Sequence, residues 1–248
     1  MLTDARLAGE LAERAGHLLL SLRDSSGLTG RELGKRGDAD SNALLLRELA
    51  AVRPDDAVLS EESADSPARL SADRVWIIDP LDGTREYGMP GRGDWAVHVA
   101  LWQRGAGITA AAVAQPSLDA VYASDTVPPA TGSDRRARFL VSDSRPPDFA
   151  AEVAAALDAE VAPMGSAGAK AMAVVRGEAD AYLHAGGQWE WDSAAPVGVA
   201  VAAGLHASRV DGSALEYNRE HPYLPDLLIC RADLAEPILR EIAATTAG

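Results

Sequence analysis

The sequence predicts an α/β fold, and three features of the chain support this prediction. Segments with helical periodicity and segments of strand length alternate beyond residue 136, which is typical of helices packed on sheets. The first 52 residues carry two further helical patterns, and short apolar runs of strand length follow them. The 248 residues are 47% hydrophobic, which suffices for a substantial core in one large domain or two small ones.

The first half of the chain predicts two helices and then four short strands. Leu7, Leu11, Ala15 and Leu22 lie on one face of a helix whose start Thr3 can cap. The apolar runs that follow have the length expected of strands. The expected helices are 4–23 and 40–52, and the expected strands are 57–60, 74–78, 95–102 and 108–114.

The second half predicts alternating strands and helices. The stretch 125–136 is rich in Pro, Gly, Ser, Asp and Arg, which makes it the best candidate for a boundary between lobes. This places an α+β lobe at residues 1–130 and an α/β lobe at residues 131–248. The expected helices are 147–157, 167–176, 193–203 and 234–245, and the expected strands are 138–142, 159–163, 179–184, 205–209 and 227–231.

The charge and composition exclude several classes of function. With 23 basic and 37 acidic residues, the formal net charge is −14, which argues against nucleic-acid binding because that needs a basic surface. A small anionic substrate is compatible, since bound Mg²⁺ can invert the potential of one cleft. No apolar run reaches the roughly 18 residues of a membrane span. The single cysteine, Cys230, excludes an internal disulfide, and we expect a cytoplasmic protein without a secretory leader.

The most informative segment is WIIDPLDGT at residues 76–84. Its apolar run ends at Asp79, and Asp82 follows three residues later. Two carboxylates at the end of a buried strand are costly unless a positive charge lies between them. Carboxylate oxygens suit hard divalent cations such as Mg²⁺, and Gly83-Thr84 can open a helix whose N–H groups face an anion. The segment therefore predicts a combined metal and phosphate site.

Three further acidic pairs lie next to predicted strand ends or helix starts, namely Asp38/Asp40, Glu61/Glu62 and Glu190/Asp192. Spacing alone favours helix N-caps for Asp38 and Asp192, and Glu61 and Glu62 are equally explained as part of a solvated loop. His98 alternates with apolar residues in WAVHVALW, which indicates a structural role. The value of the acidic pairs lies in their combination.

In its motifs the chain resembles the inositol monophosphatase superfamily of Mg²⁺-dependent, lithium-sensitive phosphatases. WIIDPLDGT resembles the central motif of that family, SEES its upstream paired-glutamate motif, and WEWDSAAP its downstream motif, while GSAGAKAMAV resembles one wall of its active site. The order and spacing of all four agree. The resemblance implies a layered αβαβα sandwich. Within the family, DPLDGTREY and AYLHAGGQWEWDSAAP are most similar to the CysQ branch, of an actinobacterial type.

The resemblance also implies two Mg²⁺ ions, with a weaker third. The expected ligands are Glu61, Asp79 and the Leu81 carbonyl for the first ion, Asp79, Asp82 and Asp192 for the second, and Asp38 with Glu61 for the third. Asp79 then bridges two ions, as in two-metal hydrolases. Glu62 is expected to orient a ligand or a water molecule from behind.

The expected catalytic pair is Thr84 with Asp38, which together position a water molecule and accept its proton. The residues expected to contact substrate are Leu81, Asp82, Gly83, Thr84, Gly165, Ser166, Lys170 and Asp192. Of these, Gly165, Ser166 and Lys170 are expected to touch the sugar or a second phosphate. The alternatives are that Gly165-Ser166 is only a turn and that Lys170 lies on an exposed helical face.

The leading functional hypothesis is hydrolysis of 3′-phosphoadenosine 5′-phosphate to AMP and phosphate, as the CysQ branch performs. A phosphatase for inositol 1-phosphate or fructose 1,6-bisphosphate is the enzymatic alternative. A non-catalytic nucleotide or metal sensor on the same scaffold ranks below both, because Asp38 and Thr84 are present. We expect a small-molecule phosphate substrate and neither a nucleic-acid nor a membrane partner, and a homodimer is compatible with the sequence.

Overall fold

The computed structural model describes residues 2–132 and 135–246, and its first half contains a five-stranded sheet. Its strands, in the spatial order β1-β2-β3-β4-β5, are β1 (Ala57–Ser60), β2 (Arg74–Asp82), β3 (Ala96–Gln103), β4 (Gly107–Gln115) and β5 (Ala120–Ala123). β1 and β2 are parallel, and the other neighbours are antiparallel. The carboxyl ends of β1 and β2 therefore meet at one edge of the sheet.

The second half contains a second five-stranded sheet. Its strands, in the spatial order β7-β6-β8-β10-β9, are β6 (Arg138–Ser142), β7 (Glu160–Met164), β8 (Ala181–Trp189), β9 (His206–Ser208) and β10 (Tyr223–Cys230). β6 is parallel to β7 and β8, whereas β10 is antiparallel to β8 and β9. β8 is thus a central strand, and it runs towards the acidic WEWD segment.

Helices form three layers around the two sheets. The helices are α1 (Asp4–Ser25), α2 (Gly30–Val52), α3 (Thr84–Tyr87), α4 (Ala150–Ala156), α5 (Ala167–Val175), α6 (Glu190–Ala202) and α7 (Ala235–Thr246). α1 and α2 cover one face of the first sheet, α5 and α6 lie between the sheets, and α4 and α7 cover the far face of the second sheet. The predicted αβαβα layering is confirmed.

Side-chain alternation along β2 decides which layer each residue meets. Trp76 and Ile78 pack with α1 and α2, while Val75 and Ile77 pack into the central core with α5 and α6, as the two-residue period of a strand requires. Asp79 continues the second series and faces the central helices. The acidic end of the strand is therefore directed at α6.

The start of α2 differs from the expectation by ten residues. The helix begins at Gly30 rather than residue 40, so Asp38 lies inside it and its interpretation as an N-cap is wrong. The glycines that obscured the helix in the sequence are close-packing positions. A Cβ on Gly37 would lie 2.9 Å from the Tyr87 ring, and one on Gly34 would lie 2.7 Å from Thr84 Cγ2. Helix α2 can approach the end of β2 because these positions lack a side chain.

Other differences are smaller. β5 was not expected, and α6 begins at Glu190 rather than residue 193, so Asp192 lies in its first turn rather than before it. Residues 133 and 134 of the expected boundary loop lie outside the described residues, and the division into lobes at residue 130 stays a prediction. In the part of the chain that the structure describes, no helix is long and apolar enough to cross a membrane.

A buried arginine joins the two halves of the chain. Arg69, in a short 3₁₀ helix at Pro67–Ser71, is 1% exposed. Its guanidinium donates to both carboxylate oxygens of Asp65, at 2.7 and 2.9 Å, and to Asn218 Oδ1 at 2.7 Å. It also donates to the Arg219 carbonyl at 2.9 Å. Removing this side chain leaves the buried Asn218 Oδ1 and the partly buried Arg219 carbonyl without this donor.

We predict that Arg69→Ala lowers the free energy of unfolding by about 3 kcal/mol, the lower end of the cost of breaking a buried ion pair, because Asp65 can be rehydrated. Arg6→Ala is the matched control, since the Arg6–Glu10 pair is largely exposed and contributes about 0.5 kcal/mol. Urea unfolding followed by circular dichroism measures both. Equal losses in the two variants would contradict the role assigned to Arg69.

Candidate active site

The site begins where β2 leaves its regular pairing with β3. Asp79 pairs with His98 in the register, but the next paired residue is Asp82, opposite Ala96. The irregularity accommodates Pro80, and the N–H of Leu81 turns back to donate to Asp79 Oδ1 at 3.0 Å. Both aspartates are thereby held at the strand end while remaining buried.

Three carboxylates converge at this strand end. Asp79, Asp82 and Asp192 each offer one oxygen, and these oxygens lie within 4.8 Å of one another. Asp192 comes from the first turn of α6, where its Oδ2 accepts the N–H of Trp189 at 2.6 Å. The N-cap explanation of Asp192 is therefore replaced by a first-turn contact that fixes its carboxylate.

Two of the three carboxylates have raised pKa values. Burial, reinforced by the charges of Glu61, Asp82 and Asp192, raises the pKa of Asp79 well above its usual range. Burial and the charge of Asp82 raise the pKa of Asp192 to about 6. Oxygen donors that lie this close and repel one another fit a hard divalent cation. The type and spacing of these side chains are therefore compatible with a metal site.

Asp82 is the exception, and its ionised form is stabilised by the protein. Among the described residues, its contacts to Ser166 Oγ, to the Gly168 N–H at 2.7 Å and to His98 Nε2 at 3.3 Å all involve Oδ2. Burial alone would raise the pKa of Asp82, but the charge of His98 and these donors lower it to about 2. These contacts do not involve Oδ1 of Asp82.

The paired glutamates follow β1, next to the end of β2. The charge of Glu61 helps to raise the pKa of Asp79, but Glu61 is not part of the three-carboxylate group. Both Glu61 and Glu62 retain exposed surface, as the solvated-loop alternative expects. Desolvation by the surrounding protein and the charge of Asp192 nevertheless raise the pKa of Glu61 to about 8. Glu61 therefore belongs to the acidic site and lies at its solvent-exposed edge.

Thr84 and Asp38 lie together, as predicted. Thr84 Oγ1 lies 3.2 Å from Asp38 Oδ1 and 3.1 Å from the Leu81 carbonyl oxygen, so one hydroxyl proton faces two acceptors. Burial, followed by the charge of Glu62, raises the pKa of Asp38 to about 7, while the bond from Thr84 acts in the opposite direction. Asp38 is thus poised to exchange a proton near neutral pH.

Gly83 allows the tight turn between Asp82 and Thr84. Its φ of 84° lies in the left-handed region, which favours glycine. A Cβ at this position would also lie 3.1 Å from both the Asp94 carbonyl oxygen and Ser166 Cβ. The turn can therefore pack directly against the wall formed by residues 165–168.

Ser166 and Lys170 occupy that wall with their polar groups already engaged. Ser166 caps α5 by accepting the Ala169 N–H at 2.9 Å, and its hydroxyl donates to Asp82. Lys170 is 3% exposed, so its placement on an exposed helical face is wrong. Its ammonium donates to the carbonyls of Met164, Gly165 and Ser166 at 3.3, 3.1 and 2.7 Å, and burial lowers its pKa to about 8.

Gly165 and Lys170 stabilise the turn that precedes α5, whether or not they also contact the substrate. The Gly165 N–H donates to Asp94 Oδ2 at 2.8 Å, and a Cβ there would lie 2.5 Å from Glu86 Cγ. The Lys170 ammonium donates hydrogen bonds to the carbonyls of the same turn. The turn thereby places the Ser166 hydroxyl next to the Asp82 carboxylate. The predicted contacts of these residues with substrate stay predictions.

Sequence reasoning undervalued His98. The imidazole is fully buried, with Nε2 facing Asp82 and Nδ1 3.0 Å from the Trp191 carbonyl oxygen. Burial alone would lower the pKa of His98, but the charge of Asp82 raises it above its ordinary value. His98 thus connects the end of β2 to the start of α6. The signal in the sequence was a polar residue on a strand face whose neighbours, Ala96 and Ala100, belong to the central core.

A cleft of about 310 Å³ opens beside the acidic cluster. Asp82, Thr84 and Asp192 line its acidic end, and Arg85, Lys170 and Arg145 contribute positive charge to its walls. Tyr182, His184 and Gln188, from the central strand β8, line it as well. One cleft therefore combines a carboxylate cluster with positively charged side chains.

Comparisons with known proteins agree with this description. Residues 3–246 match the inositol monophosphatase family. The 3′-phosphoadenosine 5′-phosphate phosphatase of Mycobacterium leprae is 57% identical over 251 residues, covering 96% of this chain and 92% of that protein. The 3′(2′),5′-bisphosphate nucleotidase CysQ of Escherichia coli K12 is 30% identical over 241 residues, covering 87% and 94%. The inositol monophosphatase-II of Staphylococcus aureus MSSA476 has a TM-score of 0.80 at 19% identity, over 96% and 94% of the two chains.

The layered fold, the carboxylate cluster and these relatives define a phosphoric monoester hydrolase. The chain belongs to the inositol monophosphatase family, as its motifs predicted. This family uses Mg²⁺, and the cluster of Asp79, Asp82 and Asp192 fits such an ion. The likeness to the staphylococcal structure supports the fold alone.

The raised pKa values of Asp38, Glu61 and Asp192 predict how the stability of the metal-free protein depends on pH. The ordinary values are 3.8 for Asp and 4.5 for Glu, against about 7, 8 and 6 in the fold. Between these limits the folded protein binds more protons than the unfolded chain, so the free energy of unfolding falls as the pH rises. In EDTA, the melting temperature should therefore be higher at about pH 5.5 than at about pH 8.

Mg²⁺ provides the control for this pH dependence. Because a cation competes with protons for the same carboxylates, added Mg²⁺ should raise the melting temperature more at the higher pH. A melting temperature in EDTA that rises with pH, or an equal effect of Mg²⁺ at both pH values, would contradict the assignment of this cluster.

We predict that His98→Leu weakens Mg²⁺ binding by about 10–100-fold, the usual effect of losing a group that orients a metal ligand. Leucine has no group that can contact Asp82 and the Trp191 carbonyl together. Isothermal titration calorimetry measures the affinity, and circular dichroism checks that the variant is folded. His17→Leu is the matched control, because His17 is exposed on α1. Unchanged affinity in folded His98→Leu would exclude the orienting role.

Proposed function

We propose that the protein hydrolyses the 3′-phosphate of 3′-phosphoadenosine 5′-phosphate, giving AMP and phosphate. The observation that carries this proposal is the 57% identity, over nearly the whole chain, to proteins named for that activity. The cleft supports it, because Arg145 and Lys170 line it beside the carboxylate cluster, while Arg85 is paired with Glu86 and Asp143. A substrate with two phosphates suits such a cleft, one phosphate at the cluster and the other at the cationic wall.

We assign the metal ligands as follows. Glu61, Asp79 and the Leu81 carbonyl would hold a first Mg²⁺; Asp79, Asp82 and Asp192 a second; and Asp38 with Glu61 a weaker third. The charge interaction between Glu61 and Asp79 and the closeness of the three aspartates support the first two assignments. The chemistry that bound Mg²⁺ supplies is a lower pKa of coordinated water and neutralisation of charge on the phosphoryl oxygens.

The side chains of the protein position the nucleophile and move its proton. Thr84 Oγ1, which donates to Asp38 Oδ1, can accept a hydrogen bond from a water molecule directed at phosphorus. Asp38, with a pKa of about 7, can take up the proton that passes through the threonine hydroxyl. The backbone N–H groups of Gly83 and Thr84 are proposed to hold the transferring phosphate, and Glu62 is proposed to orient the acidic groups behind it.

The walls of the cleft are proposed to hold the rest of the substrate. Arg145 lines the same cleft as Asp192, which makes it a candidate for the second phosphate. Ser166, Gly165 and Lys170 shape the same wall. The proposal includes a small-molecule substrate.

We also propose a cytoplasmic location, and the presence of a single cysteine supports this location. A homodimer is a prediction that analytical ultracentrifugation can test.

The experiment is phosphate release by the purified protein with Mg²⁺, comparing kcat/KM for 3′-phosphoadenosine 5′-phosphate, inositol 1-phosphate and fructose 1,6-bisphosphate. We expect the nucleotide to be preferred by about tenfold or more, a discrimination that pocket contacts readily supply. Asp82→Asn should abolish turnover, because it removes an anionic ligand, and it controls for contaminating phosphatases. A preference of the same size for inositol 1-phosphate would favour the alternative substrate class, and near-normal turnover by Asp82→Asn would refute the metal assignment.

A further inference from the structure

Gln188 is a buried amide whose polar atoms are unpaired. The side chain lies at the end of β8 and is 6% exposed. Among the residues that the structure describes, neither Nε2 nor Oε1 has a hydrogen-bond partner. An amide buried in this way destabilises the fold unless something else pairs with it. Because Gln188 lines the cleft, a bound molecule can supply that pairing.

The backbone around Gln188 is fixed on both sides. Before it, Gly187 has a φ of 90°, and a Cβ there would lie 2.2 Å from Tyr223 Oη. After it, the Trp189 N–H donates to the Asp192 carboxylate at 2.6 Å. Gln188 itself is paired with Leu224 of β10 in the register. The backbone that carries the amide is thus held one residue from the N–H that anchors Asp192, and Gln188 and Asp192 line the same cleft.

The chemistry of the amide selects its ligand. A carboxamide offers both donors and an acceptor, so a group that both donates and accepts satisfies it best. A phosphate only accepts, and the positively charged Arg145 in the same cleft suits it better. A hydroxyl is a donor and an acceptor at once. The hydroxyl closest to the reacting 3′-phosphate of a ribonucleotide is the neighbouring 2′-hydroxyl.

We propose that Gln188 binds the ribose hydroxyl next to the scissile phosphate and thereby selects ribonucleotide over 2′-deoxyribonucleotide substrates. This inference rests on the proposed function, since it presupposes a nucleoside bisphosphate substrate. It assigns specificity to a residue of β8, while the carboxylates of β2 and α6 carry the metal site. Gln188 contacts the leaving group and takes no part in proton transfer.

The test compares the wild-type enzyme and one variant on two substrates. Wild type and Gln188→Leu are compared by kcat/KM on 3′-phosphoadenosine 5′-phosphate and on its 2′-deoxy analogue. Wild type should prefer the ribonucleotide by about tenfold or more, because a site built to pair a hydroxyl rejects substrates that lack it. Gln188→Leu should lose this preference to within roughly twofold, mainly through the ribonucleotide rate. Gln103→Leu, at the far end of β3, is the matched control and should keep the preference.

The remaining outcomes separate the two proposals. No hydrolysis of the bisphosphate nucleotide by wild type would overturn the proposed function itself. Hydrolysis without a ribose preference, or an equal loss on both substrates in folded Gln188→Leu, would overturn the role of Gln188 alone. The inosine analogue of the substrate, which carries hypoxanthine in place of adenine, tests whether Gln188 contacts the base instead of the ribose. If Gln188→Leu abolishes discrimination between adenine and hypoxanthine and keeps the ribose preference, the amide pairs with the base and the proposal is wrong.

Discussion

The structure depends on keeping several carboxylates together in a place where water is largely excluded. Asp79 and Asp192 have raised pKa values because they are buried among other acidic groups, and no folding gain at the strand end compensates for this. Asp82 differs because the charge of His98 and two hydrogen-bond donors, Ser166 Oγ and the Gly168 N–H, act on one of its oxygens. Much of the local architecture, from the irregular end of β2 to the first turn of α6, serves to hold these groups at their separation.

The donors that hold Asp82 come from elements distant in the sequence. Ser166 and Gly168 belong to the start of α5, and His98 belongs to β3, which also contacts the start of α6. Because α5 and α6 lie between the two sheets, the site is assembled where the first sheet meets the central helices. A cluster of repelling charges is thereby positioned by neutral and cationic groups from other elements.

Much of this could be predicted from the sequence, and the failures have physical causes. Asp79 and Asp82 were recognisable because an apolar run ends in two carboxylates. The alternation of elements predicted an α/β fold, and the resemblance to the family implied its αβαβα layering. The start of α2 was hidden because Gly34 and Gly37, which resemble helix breakers, serve close packing. Lys170 and His98 were misjudged because burial of a polar side chain depends on distant partners, here the carbonyls at 164–166 and Asp82. Residue roles in metal and substrate binding stay predictions.

The position of Asp192 has a consequence for synthesis of the chain on the ribosome. Asp79 and Asp82 emerge more than a hundred residues before Asp192, and the donors for Asp82 at the start of α5 also emerge late. The nascent first sheet must therefore carry its acidic strand end hydrated until the central helices arrive. Closure of the metal cluster is consequently a late event in biogenesis, and a truncated chain that ends before α6 retains the acidic motif without the means to bury it.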